Sequence, residues 1–307
     1  MITDWATANR SPIACCVHPC PAHTSELDAF DVVIRRTAAG TASRGMVLTG
    51  LRGVGKTVLL NEMKSRASDA GWFVVSIEGR ADTAGATTIR STLARSIAVQ
   101  ARQLGDPGIS DRVKRALQSI NSFNLRFGTG GIDFGIEASP GRADSGDLEI
   151  DVAELVEDVA AALAEKGSAF GLFVDEMQDV DSALLTALLA TQHAAGQAGL
   201  PFYIIGAGLP NLPSELAERR SYAERMFDYR TISRLADSDA AKALKEPVST
   251  KGVDFSPEAL GAILQAAGGY PYFLQEYGRS VWDARGHHHA TYTRRRHRRH
   301  RHGQNSP

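Results

Sequence analysis

The stretch GMVLTGLRGVGKTVLLNEM, Gly45 to Met63, decides the fold. An apolar run too short for a helix comes first and reads as a buried strand. A glycine-rich turn and a lysine follow, then apolar residues at three- and four-residue spacing, the period of an amphipathic helix. Across the turn, Gly50-Leu-Arg-Gly-Val-Gly55-Lys56-Thr57 fits the pattern G-x-x-x-x-G-K-[ST] throughout. Each residue type there has a physical task. Glycines let backbone N–H groups turn inward around an anion. The lysine supplies a point charge for the β and γ phosphates, and the Thr57 hydroxyl is a ligand for Mg²⁺. The helix that follows aims its N-terminal dipole at the same anion. The phosphate-holding residues are thus Gly50, Gly53, Val54, Gly55, Lys56, Thr57 and Val58, with Thr57 also on the metal. A chance Lys-Thr after a glycine turn would lack the strand before it and the helix after it.

Downstream, apolar runs and helical patterns alternate. Strands are expected near 46–49, 72–77, 171–175, 202–206 and 229–233, with amphipathic segments between them. Alternation of this kind implies a parallel α/β sheet covered on both faces. From about residue 236 only helical patterns remain, SDAAKALKEP, SPEALGAILQAAGG and YPYFLQEYGRSVWDA, which reads as a small appended helical domain. Phe123, Leu125 and Phe127 alternate before Gly-Thr-Gly-Gly, and Ile132, Phe134 and Ile136 alternate after it, so a β-hairpin is expected near 122–137.

Gly171-Leu-Phe-Val-Asp175-Glu176 is an apolar strand ending in two acids. Ligands of open α/β sheets bind at the carboxyl ends of the strands. Beside a phosphate loop, Asp175 is the expected second metal ligand, acting through water, and Glu176 the residue that polarises an attacking water. A strand leaving the core at a polar turn is the plainer account of the acids taken alone. The adjacent pair favours hydrolysis over mere binding.

GLRGVGKT, the LFVDEMQ strand end and the later GGYPYFLQ together resemble AAA+ ATPases. The type is that of bacterial and archaeal ATP-binding proteins related to origin-recognition and STAND ATPases, and the resemblance covers roughly residues 25–284. It implies a five-stranded parallel P-loop sheet over residues 25–235 and a helical lid over 236–284. It also implies ATP and Mg²⁺ as ligands, ATP hydrolysis and a nucleotide-driven conformational switch. A polar residue after the fourth strand often senses the γ-phosphate in such proteins, and Asn211 is the amide nearest that place. An arginine before the fifth strand often reaches a neighbouring subunit's nucleotide, and Arg225 stands there; Arg219 and Arg220 close by keep open the reading of an ordinary solvated arginine. The lid loop Gly268-Gly269-Tyr270-Pro271 looks like the Gly-x-Pro of STAND ATPases, which puts Tyr270 and Pro271 near the base. Pro271 also suits a helix's first turn on backbone grounds alone. No lid sensor arginine stands at the expected place, where the chain has Tyr272, and the Gly-Arg box usual before the first helix is absent.

The ends read differently. Residues 1–24 show no periodicity and no signal-peptide pattern, and 285–307 are a basic tail read as disordered, with six arginines and no acid in its last seventeen residues. The text changes abruptly after Asp283-Ala284, where relatives often continue into a winged-helix domain; a truncation or a shifted frame would explain it. The tail could hold nucleic-acid phosphates in a salt-dependent way. Cys15, Cys16, His18 and Cys20 lie too close together for a usual zinc site. Net charge is −1, no run is long and apolar enough to span a membrane, and a cytoplasmic location without membrane contact is expected. A homo-oligomer and a DNA or protein partner stay open, as does a low-turnover regulatory role instead of active hydrolysis.

Overall fold

A computed structural model describes residues 23–81, 83–101, 110–128, 142–250 and 252–284. The chain divides into two compact units. One comprises His23–Arg52 and Lys56–Ile232; the other takes Gly53–Gly55 and the chain from Ser233.

The first unit is an α/β layer structure. Five strands, β1 (Gly45–Thr49), β2 (Phe73–Glu78), β3 (Phe170–Asp175), β4 (Phe202–Gly208) and β5 (Phe227–Thr231), form one sheet in the order β2-β3-β4-β1-β5. All four strand pairings are parallel. Helices occupy the crossovers: α1 (Thr24–Ala38) precedes the sheet. Then come α2 (Lys56–Asp69), α3 (Thr83–Gln100), α4 (Asp111–Phe127), α5 (Leu148–Ala164), α6 (Ser182–Gln197), α7 (Leu212–Arg219) and the short α8 (Ala223–Met226). Every residue of β1 and of β4 is buried, as expected when helices cover both faces of a parallel sheet. Side-chain alternation sends Val75, Leu172 and Ile204 into one large core with Leu93, Ile120, Val159 and Leu188. On the other face Phe173 meets Phe30 of α1 edge to face at 6.2 Å, and Tyr203 stacks on Trp72 at 5.4 Å.

The five strands lie where the sequence placed them, β5 starting two residues early. The hairpin near 122–137 is corrected. Residues 111–127 form one helix, capped by Ser110, whose hydroxyl accepts from Val113 N–H at 3.3 Å. Val113, Ala116, Leu117, Ile120 and Phe123 are buried at helical spacing, and Phe127 packs one turn on from Phe123 with ring centroids 4.8 Å apart. Leu125, the middle member of the apparent alternation, is 62% exposed. A four-residue spacing satisfies both periods at 123 and 127, and the longer 3.6-residue pattern upstream decides. The second arm of that hairpin, 129–141, lies outside the described residues, as do the 1–22 segment with its cysteines and the 285–307 tail. The helical stretch after β4 is interrupted at Arg220, which is extended at φ −144°, and resumes as α8.

The second unit holds α9 (Asp237–Ser249), α10 (Pro257–Ala267) and a further helix, α11, over 271–284. Leu235, Leu244, Val248, Ile263 and Leu274 form its core, with Trp282 packed against it. Gly268 closes α10 in the left-handed region at φ 54°, a common helix end. Gly269 then accepts the Leu235 N–H at 2.8 Å, and a Cβ on it would stand 2.5 Å from the Leu235 carbonyl oxygen, so only glycine fits. Pro271 opens α11 with its φ already set for a helix. No described helix is long and apolar enough to cross a membrane.

Candidate nucleotide site

The loop after β1 turns on Gly53 and Gly55, whose φ values of 80° and 99° are open to glycine and costly for other residues. Gly50 is tied to the exit of β4 by its N–H to the Gly208 carbonyl at 3.2 Å. Lys56 starts α2 and is buried, with its ammonium donating to the carbonyls of Gly50 and Leu51, both at 3.0 Å. Burial pushes the Lys56 pKa down; the negative charges of Glu176 and Asp175 oppose that shift, and Arg52 adds to it. The two acids therefore act on Lys56 through space although some 120 residues separate them in sequence.

Thr57 and Asp175 line one cavity of about 400 Å³, together with Asn61, Glu78, Arg80 and Thr88. A hydroxyl and a carboxylate facing common space are hard oxygen donors of the kind that suits Mg²⁺. Glu78 was missed by sequence reasoning. It is the register partner of Asp175 across β2 and β3. The available signal was that FVVSIE, like GLFVDE, is an apolar strand that ends in an acid.

Glu176 sits in the left-handed region at φ 44°, unusual for a residue with a side chain. The turn is pinned from β2. Gly79 N–H donates to Asp175 O at 2.9 Å and Arg80 N–H to Asp179 O at 3.0 Å. A Cβ on Gly79 would lie 2.1 Å from the Glu176 carbonyl oxygen. The Glu176 carboxylate accepts from Gln178 Nε2 at 2.6 Å. Gln178 also escaped the sequence reading, though DEMQD carries an amide two residues after the acid.

The other expected residues are scattered. Asn211 stands at the N-terminal edge of α7 and donates its amide to Glu215 at 2.6 Å, on the surface. Arg225 lies exposed on α8. Its neighbours are engaged: Arg219 donates to Ser182 Oγ, and Arg220 grips both carboxylate oxygens of Glu149 at 2.9 Å. Among the described residues Arg225 makes no salt bridge. Tyr270 and Pro271 belong to the second unit, where the Arg234 guanidinium sits 4.8 Å from the centre of the Tyr270 ring. Among the described residues no group of three or more His, Cys, Asp and Glu could hold a metal ion.

The fold is shared with known proteins. The ORC1 protein of Aeropyrum pernix, solved in complex with DNA, superposes with a TM-score of 0.51 at 14% identity, covering 91% of this chain and 65% of its own. Cdc6p of Pyrobaculum aerophilum gives 0.48 at 14% identity over 78% and 54%. The RuvB Holliday junction branch migration motor of Thermotoga maritima gives 0.45 at 15% over 83% and 60%. The chain thus spans between about half and two thirds of the length of these proteins, and at such identity the likeness is one of fold. No curated protein matches the chain. The family described as "AAA ATPase domain" matches residues 19–205, a span running from before α1 to within β4 and containing both the phosphate loop and the acidic strand end. The chain belongs to the AAA ATPase domain family.

Proposed function

We propose that this protein binds ATP with Mg²⁺ at the Lys56 loop and hydrolyses it to ADP and phosphate, using the cycle as a conformational switch. The observation that carries the reading is convergence. Thr57 at the start of α2 and Asp175 at the end of β3 line one cavity, and the charges of Asp175 and Glu176 bear on Lys56 beside it, at the carboxyl ends of a parallel sheet. The loop amides from Gly50 to Val58 and the Lys56 ammonium would hold the phosphates. Thr57 and Asp175 would hold Mg²⁺, which when bound neutralises charge on the phosphate oxygens. Glu176 would polarise the attacking water and take its proton. Tyr270 and Pro271 are assigned to the base on the strength of the family resemblance. Asn211 is a weak γ-phosphate contact, since its amide is held by Glu215.

Arg225, exposed and without a salt bridge among the described residues, would complete a neighbouring copy's site, which would make the active form a homo-oligomer. A DNA partner is a reading supported only at the level of fold, by the ORC1 structure with DNA. A cytoplasmic location would follow from the use of Mg-ATP. Purified protein should release phosphate from ATP in the presence of Mg²⁺, and Glu176→Gln should bind ATP with little release. Equal turnover by wild type and Glu176→Gln would remove Glu176 from its role.

A second reading, an ATP-binding regulator of DNA or of a protein with little turnover, is favoured by one observation. One oxygen of the Glu176 carboxylate is already bonded to Gln178, which leaves a single oxygen for water. Tight ATP binding without phosphate release at any protein concentration would select it.

A further inference from the structure

We infer that Gln178 is the positioning residue for Glu176, fixing its carboxylate to the exit of β4; this rests on the reading of Glu176 as the residue that activates water. The Gln178 amide is fully used. Its Nε2 donates to Glu176 Oε2 at 2.6 Å and to Asp179 Oδ2 at 3.2 Å, and its Oε1 accepts the Leu209 N–H at 3.2 Å. One side chain thus joins the acidic turn after β3 to the backbone just past β4.

The surroundings are shaped for this bridge. A Cβ on Gly208 would stand 2.6 Å from Gln178 Oε1 and 2.6 Å from Leu212 Cδ2, so the amide can reach the strand exit only past a glycine. The main chain of the turn is held from the opposite side by Gly79 and Arg80. Glu176 itself has a left-handed backbone that nothing in its own sequence favours. Such a residue keeps its conformation only when its surroundings over-determine it.

The consequence is geometric. Gln178 engages one carboxylate oxygen of Glu176 and leaves the other for water. Its anchor, Leu209 N–H, follows directly on a strand paired to both β1 and β3. The strand exit bonded to Gly50 of the phosphate loop is therefore the one that orients the acid. The role expected of Asn211, an amide linking the β4 exit to the chemistry, falls to Gln178, which reaches β4 from the acidic turn.

The test is steady-state phosphate release by wild type, Gln178→Met, Glu176→Gln and the double variant, with ATP-induced thermal stabilisation as the check on folding and binding. Gln178→Met should keep KM and the ATP-induced shift and lose about tenfold or more in kcat, since small misplacements of a catalytic group carry costs of that size. In the Glu176→Gln background the same change should do nothing further. Wild-type kcat in Gln178→Met, or an equal loss in both backgrounds, overturns the inference while leaving Glu176 in place. A wild type without turnover overturns the hydrolytic reading, and a Glu176→Gln variant as fast as an active wild type removes Glu176 from its role; either outcome takes this inference with it. Both outcomes are read before any Gln178 variant is needed.

Discussion

The Lys56 ammonium donates to the Gly50 carbonyl at 3.0 Å, back into the loop that bears it, while the carboxylates of Glu176 and Asp175 pull on its charge from the end of β3. A buried cation so placed is costly without an anion and well placed to receive one. Lys56→Met should therefore abolish ATP-induced thermal stabilisation, an effect of about 2.7 kcal/mol at a ligand concentration a hundredfold above Kd. Without nucleotide the variant should unfold no lower than wild type, because the isosteric apolar side chain removes a desolvated charge. A calorimetric scan with and without ATP checks both.

The same site gives a pH dependence with a definite sign. Burial lowers the folded-state pKa of Lys56 below its ordinary 10.5, so the unfolded chain binds the extra proton more readily. The destabilisation is fully present below the folded pKa and fades as pH rises towards 10.5. The stability difference between nucleotide-free Lys56→Met and wild type should shrink over that alkaline range. A difference that grows there would mean that the lysine is stabilised by its surroundings.

Thr57 and Asp175 face one cavity with Glu78 beside them. Asp175→Asn and Thr57→Val should lose the part of the ATP-induced thermal shift that depends on Mg²⁺. Glu78→Gln should raise the Mg²⁺ needed by several-fold, because one carboxylate beside the site is neutralised. Titrating Mg²⁺ at fixed ATP and following unfolding temperature measures all three.

Of Arg219, Arg220 and Arg225, the first two are tied down, and Arg225 is exposed without a salt bridge among the described residues. If Arg225 completes a neighbour's site, turnover per chain should rise with protein concentration in wild type. In Arg225→Ala it should stay low and flat, by up to the 10³-fold or more that an arginine contributes in such sites. Arg219→Ala and Arg220→Ala should keep the concentration dependence.

Two glycines separate packing from propensity. Gly79→Ala would bring a methyl to 2.1 Å of the Glu176 backbone, and should cost about 2 kcal/mol or more and most of the turnover. Gly196, inside α6, has nothing within 4 Å of where its Cβ would be. Gly196→Ala should stabilise the fold by about 0.5–1 kcal/mol with activity intact, since it restores helix propensity without a clash. Chemical denaturation of both variants settles the contrast.

Much of this molecule was legible in its sequence because it is written in local periods. Apolar runs of five to seven residues between amphipathic stretches locate four of the strands, and Gly53 and Gly55 mark a turn whose backbone shape favours glycine. Where two periods coincide, local reading fails. Phe123 and Phe127 fit a strand and a helix alike, and burial along one helix face decided for the helix. What tertiary structure alone determined is which distant residues share a place. Strand order sets Glu78 beside Asp175, and pairing of β3 with β4 brings Gln178 to Leu209 and leaves Asn211 on the surface with Glu215. Sequence specifies conformation over a few residues through sterics and burial pattern; the meeting of side chains far apart in the chain depends on the order in which strands pair, and that order is a property of the whole sheet.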